Sequence, residues 1–170
     1  MRVLLLIVIL LSGCGSTALY GDSISVLCED FTPGMNRAVG GATSGDMVNE
    51  IEKYVLFDVR GGMTYHILIG ANDIYWGLED GTIRNIRKAL NILQGNQIII
   101  TSILPTSWDD RNRRAKILNA GIKDLALEHG AVYRDRHSEF ADAQGLLKVE
   151  YNADGIHLTD SGCKALFEGV

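Results

Sequence analysis

Short apolar runs alternate with stretches of helical spacing along most of this chain, and that alternation constrains the fold more than any other feature. Tyr65-His66-Ile67-Leu68-Ile69 is mostly apolar, and Gln97 to Ile103 is rich in β-branched residues. Both have the pattern of strands buried on two faces. Ala18-Leu19-Tyr20 and Ala131-Val132-Tyr133 are shorter runs of the same kind, and Met35 to Val39 is a candidate second strand. Between them, Met47, Ile51, Tyr54 and Val55 share one helical face, and Ile83, Ile86, Leu90 and Leu93 share another within a helix over 81–93. Arg111 to His129 reads as a long amphipathic helix ended by Gly130. Thr43 or Ser44 suits the cap of the first of these helices, and Thr159 that of a closing helix. Such alternation predicts a parallel sheet covered on both faces and joined by right-handed crossovers. The expectation is a three-layer α/β/α sandwich.

The 170 residues suffice for one domain with a sizeable core and not for two. A net charge of −5, with no basic stripe, argues against a nucleic-acid partner. The N-terminus stands apart. Met1-Arg2 precedes an unbroken apolar run from Val3 to Leu11, too short for a spanning helix, and then Ser12-Gly13-Cys14. One positive charge, a short apolar stretch and small residues make an export signal. Leu11-Ser12-Gly13-Cys14 also resembles the lipobox of bacterial lipoproteins. That resemblance implies removal of residues 1–13, lipid on the Cys14 sulfur, a cell-envelope location and a single domain over 17–170. Periplasmic or secreted release is the alternative. Cys28 and Cys163 remain, and an exported protein can pair them. Their spacing does not say whether they meet, and the expectation is two separate buried thiols.

Four small stretches follow predicted strands or open the last helix: Gly21-Asp22-Ser23, Gly40-Gly41, Gly70-Ala71-Asn72-Asp73 and Asp154-Gly155-Ile156-His157. In a parallel sheet the strand ends fall on one edge, where open α/β folds bind ligands. Together these stretches supply the parts of an acyl-transfer site. Serine needs a base to become a nucleophile, and an imidazole with an ordinary pKa near 6.5 suits that work around neutral pH. Ser23 and His157 fit these roles. Asp154, three residues before His157, can reach the ring across a turn and fix its tautomer. Backbone N–H groups at Gly41 and Ser23 and the Asn72 side-chain amide can supply an oxyanion hole.

The four blocks, in this order, resemble those of the SGNH (GDSL-type) hydrolases. Gly21-Asp22-Ser23 matches the first block, and Asn36 to Thr43 resembles the second. Gly70-Ala71-Asn72-Asp73 matches the third, and Asp154-Gly155-Ile156-His157-Leu158 the last. The resemblance spans the chain from Ala18 onward. It implies a flavodoxin-like sandwich and a serine esterase without metal or other cofactor. By block, it assigns Ser23 as nucleophile, His157 as base, Asp154 as its partner, and Gly41 and Asn72 to the oxyanion hole. Ala42 stands where relatives often carry Asp, which removes no catalytic group. The short stretch from Ser25 to Asn36 predicts a stunted second strand and an open cleft mouth. No Gly-x-Ser-x-Gly elbow is present, against an ordinary α/β-hydrolase.

Each residue has a plainer role available. Asp22 and Ser23 suit a turn or cap, Asn72 and Asp73 a turn, and His157 a cap or a core position. His66, His129 and His137 lack an acidic partner at useful spacing and read as structural or solvent-facing. Trp76 and Trp108 can wall a cleft or simply pack, and Arg111, Arg113 and Arg114 read as a solvated helix face. The function expected is an acyl-enzyme esterase acting on a small-molecule ester, with O-acetyl carbohydrate and lysophospholipid-like esters as leading classes. The alternative is an inactive ligand-binding module on the same fold. A phosphate binder is disfavoured because Gly-x-x-x-x-Gly-Lys-Ser/Thr is missing.

Overall fold

The computed structural model describes residues 16–57 and 62–169. The expectations for residues 1–13 and Cys14 therefore lie outside the described residues. Strand β1 (Thr17–Gly21) is followed by α1 (Ser23–Leu27) and a two-residue strand β2 (Met35–Asn36). Helix α2 (Ser44–Tyr54), β3 (Thr64–Leu68), α3 (Ala71–Trp76) and α4 (Glu79–Ile92) come next. Then follow β4 (Gln97–Thr101), α5 (Asp109–Glu128), β5 (Val132–Arg134), α6 (Arg136–Phe140) and α7 (Asp160–Phe167).

The strands pair in the order β2-β1-β3-β4-β5, every pairing parallel. This is the flavodoxin-like order, in which the chain leaves β1 toward one side and returns to the other. The direction reverses between β1 and β3, so the loops that follow these two strands part and leave a crevice. Gly21-Asp22-Ser23 and Gly70-Ala71-Asn72-Asp73 are those loops.

Side-chain alternation sorts the sheet into two faces. Ala18, Tyr20, Tyr65, Ile67, Ile98 and Ile100 bury against α2, α4 and α5 through Met47, Ile51, Ile86, Leu90, Ile122 and Leu125. Leu68 on the other face joins Ile24 of α1, Phe140 of α6 and Cys163 and Leu166 of α7. The three layers are present, one of long helices and one of short ones. Helix α2 starts on a capping box, Thr43 accepting from Asp46 N–H while the Asp46 carboxylate takes the Thr43 N–H. Thr159 caps α7 through Gly162 N–H.

Several boundaries differ from the sequence expectation. The second strand stops at Asn36, whose side chain turns away from the ladder, donating to Ser25 O at 2.8 Å and accepting from Ala38 N at 3.0 Å. The stretch after β3 is helical at once, because Gly70 adopts a positive φ of 119° and starts α3 directly. Strand β4 ends two residues early: the buried Asn119 side chain takes the Ile103 N–H and C=O at 2.8 and 3.0 Å, replacing a strand partner.

The cysteine expectation is corrected outright. Cys28 and Cys163 are not separate thiols but a disulfide, with Cα atoms 5.2 Å apart. The C-cap of α1 and the middle of α7 pack in the same small core, which brings together residues 135 apart in sequence. Spacing alone hides this.

Candidate active site

Ser23 is the first residue of α1, directly after β1. Gly21 fits here because the turn is tight: a Cβ at that position would lie 2.3 Å from Ser25 Oγ and 2.9 Å from Leu68 O. Asp22 caps α1 by accepting Ile24 N–H at 3.0 Å. It is fully buried, and that burial pushes its carboxyl up to about 7, against the opposing pull of the Ile24 N–H and of His157. As the first helical residue, Ser23 has an N–H with no partner inside α1.

The Ser23 hydroxyl lies 3.0 Å from His157 Nε2. On the far side of the ring, His157 Nδ1 lies 2.7 Å from Asp154 Oδ2. The carboxylate fixes the tautomer, since it can only accept. Nδ1–H donates to it, which leaves the Nε2 lone pair facing the serine O–H. Asp154 Oδ1 also accepts the N–H groups of Ile156 and His157 at 3.0 and 2.8 Å. These bonds, the His157 side chain first, hold the Asp154 carboxyl down to about 2 although the residue is exposed. The three residues thus form one hydrogen-bonded chain from hydroxyl to carboxylate, the arrangement that makes a serine nucleophilic.

Asn72 is the second residue of α3 and lines the same cavity as Ser23. Its Nδ2 donates to Ala42 O at 2.9 Å. A side-chain amide has two N–H bonds, so one remains for a ligand. The same bond pins the loop that carries Gly41, which is also held where Val39 N donates to Gly21 O at 3.1 Å. Gly41 itself lines a shallow groove with Gly40 and Asn49, beside the cavity and not within it. Asp73 is no mere turn residue. Buried, it accepts from Ser44 N and Oγ and from Thr82 Oγ1 at 2.9, 2.5 and 2.9 Å, tying α2 and α4 to the base of α3.

The cavity beside Ser23 has a buried apolar floor of Ile24, Ile74, Ile103, Leu104 and Ala115. Its volume is about 40 Å³, whereas a water needs roughly 10–15 Å³ by this measure. About three waters, or a short acyl chain, would fill it. Tyr75, Thr106, Arg111 and Ile156 complete the wall. Arg111 departs from expectation: it lines the cavity and stacks on Tyr75 and Trp108 instead of simply facing solvent. Its neighbours do sit on the surface, Arg113 pairing with Asp109 and Arg114 with Glu79. Helical spacing places Trp108, the N-cap of α5, three residues before Arg111, but could not bring in Tyr75, which belongs to α3.

Trp108 packs on the Gly155 backbone, while Trp76 is exposed and meets Tyr75 edge-on at 4.7 Å. The remaining histidines stay out of the site. His66 is buried in β3, and desolvation, then Arg134, lowers its pKa to about 4. His137 is buried and its Nδ1 donates to Ile103 O at 2.9 Å. His129 bonds to Leu125 O and Asn91. Among the described residues no group of His, Cys, Asp or Glu is gathered as a metal-ligand set.

The comparison with known families decides the identity. The model of the GDSL-like lipase/acylhydrolase family matches residues 12–165. The chain belongs to that family. As a member it is an acylhydrolase, an enzyme of the esterase type. Solved structures agree on the fold. A GDSL-like lipase from Bacteroides thetaiotaomicron superposes with a TM-score of 0.79 at 20% identity, over 89% of this chain and 83% of that one. A member of the lipolytic G-D-S-L family from Veillonella parvula gives 0.77 at 18%, over 89% and 93%. A catalytic mutant of an acetylxylan esterase from Geobacillus stearothermophilus gives 0.70 at 16%, over 90% and 92%. No match was found among curated proteins.

Proposed function

We propose that this acylhydrolase is a serine esterase that removes short acyl groups through an acyl-enzyme. The observation that carries the reading is the 3.0 Å approach of the Ser23 hydroxyl to an imidazole whose other nitrogen is held by Asp154. In this reading Ser23 Oγ attacks the ester carbonyl carbon as its proton passes to His157 Nε2. The carbonyl oxygen becomes an oxyanion, met by the N–H groups of Ser23 and Gly41 and the spare N–H of Asn72. Collapse re-forms the carbonyl and breaks the bond to the alcohol, which leaves with the proton from His157. Water then attacks the acyl-enzyme, giving its proton to His157. The tetrahedral species collapses to free acid and restores Ser23. Asp154 remains a carboxylate throughout and stabilises the imidazolium.

The small apolar cavity favours acetyl over long chains, so O-acetyl groups on carbohydrate suit the site better than lipid acyl chains. The acetylxylan esterase likeness is consistent with that class without naming the substrate. We also propose export to the cell envelope with lipid on Cys14. The Cys28–Cys163 disulfide supports an oxidising compartment.

The test compares p-nitrophenyl acetate with p-nitrophenyl octanoate, using the chain from Gly15 onward and its Ser23→Ala variant. The expected result is turnover of acetate well above octanoate, abolished in the variant. A folded parent that hydrolyses neither ester and is not labelled by a fluorophosphonate would sink the reading.

A further inference from the structure

Arg111 lines the cavity beside Ser23, its guanidinium carbon 4.4 Å from the Trp108 ring centroid and 4.9 Å from that of Tyr75. Aromatic faces hold the guanidinium plane and leave N–H donors at its edge for other partners. Among the described residues, none accepts a hydrogen bond from these donors and no carboxylate pairs with them. Nearby Asp109 is engaged by Arg113 at 2.5 Å. Helix stability does not account for Arg111 either. It sits in the first turn of α5, where the helix dipole disfavours a cation.

Its place in the cleft says which part of a substrate it meets. A Cβ on Gly155 would lie 2.8 Å from the Trp108 ring, so the indole rests on the backbone between Asp154 and His157. Ser107 N also donates to Gly155 O at 2.8 Å. Arg111, over both Trp108 and the Tyr75 ring of α3, therefore stands at the exposed rim of the cavity, between α3 and the loop that carries His157. In the reading above the apolar floor takes the acyl group, so a charged group at the rim belongs to the alcohol portion, beside the ring that returns the serine proton to the leaving oxygen.

We propose that Arg111 binds an anionic group, carboxylate or phosphate, on the alcohol portion of the ester. The substrate class is then a short-acyl ester of an acidic alcohol. This rests on the esterase reading above and deepens it. The paired N–H edge of arginine matches either oxyanion in bidentate fashion, where lysine would offer only a point charge.

The experiment measures kcat/KM on two matched pairs: acetyl-glycerol 3-phosphate against acetyl-glycerol, and an O-acetylated methyl glucuronide against the corresponding glucoside. The parent is expected to prefer the charged member of at least one pair, chiefly through KM, and the favoured pair tells phosphate from carboxylate. Arg111→Gln should reduce that preference about 10- to 100-fold, the range for a charged hydrogen bond. Arg111→Lys should restore part of it. Fluorophosphonate labelling of Ser23 reports that each variant is folded with a working nucleophile. Equal turnover within both pairs by a parent that still hydrolyses p-nitrophenyl acetate overturns this inference alone. So does an Arg111→Gln variant that loses charged and neutral members equally. A parent inert toward p-nitrophenyl acetate as well removes the esterase reading and this inference with it.

Discussion

Ser23 and His157, separated by 134 positions in the chain, meet at 3.0 Å because the end of β1 and the loop before α7 open onto the same edge of the sheet. Asp154 needs no such long-range closure. It reaches His157 across one turn, and its second oxygen grips two backbone N–H groups of that turn.

Asp154→Asn should therefore leave the fold intact and lower kcat on p-nitrophenyl acetate by roughly 10²–10⁴-fold, with little change in KM. The substitution removes the charge that stabilises the imidazolium and lets the ring take the wrong tautomer. Since the parent carboxyl is held down to about 2, its own protonation will not shape the activity profile near neutrality. Parallel kcat measurements across neutral pH check both statements.

Asp22 gives a prediction of the opposite sign. Burial raises its pKa from 3.8 to about 7, so between those values the folded protein holds a proton that the unfolded chain has lost. Stability from this group is full below about 4 and declines as pH rises through about 7. Asp22→Asn keeps a side-chain oxygen for the Ile24 N–H and removes the titration. Urea unfolding at a series of pH values should show a decline in the parent that is absent from the variant.

Asn72→Ala tests the oxyanion role. Loss of one such donor typically lowers kcat by ~10²–10³, with the loop that carries Gly41 also released from its Asn72 bond. The Ala42 carbonyl also loses its partner, so a stability loss of about 1 kcal/mol is expected as well. Stopped assays and thermal melts on the same preparation separate the two effects.

The disulfide links the helix that begins with Ser23 to the helix that follows His157. Cys28→Ser with Cys163→Ser should lower stability by about 2–4 kcal/mol, seen as an earlier urea midpoint. Activity at low denaturant should fall less than stability, because the hydrogen bonds linking Ser23, His157 and Asp154 do not involve sulfur.

Much of this was readable from the chain itself. The alternation of buried strands and amphipathic helices gave the layers, and four small stretches after strands or before the last helix pointed to the edge where Ser23, His157 and Asp154 meet. Local features also read well, as with the Thr43 and Thr159 caps. What escaped were relationships between distant elements. Asp73 looks like a turn residue until Ser44 and Thr82 arrive from α2 and α4. Arg111 looks like surface until the Tyr75 ring arrives from α3 to face it alongside its helix neighbour Trp108. The disulfide belongs with these, since nothing near Cys28 in sequence points to Cys163.

The polarity of β1 has one more effect. Its first residue, Thr17, lies at the opposite edge of the sheet from Ser23, and a strand of five residues spans roughly 17 Å. A domain tethered through Cys14 would therefore stand with its reactive edge facing outward. Such an enzyme would act on esters arriving from solution or held in an overlying layer, and would have its back to the lipids beside its own anchor.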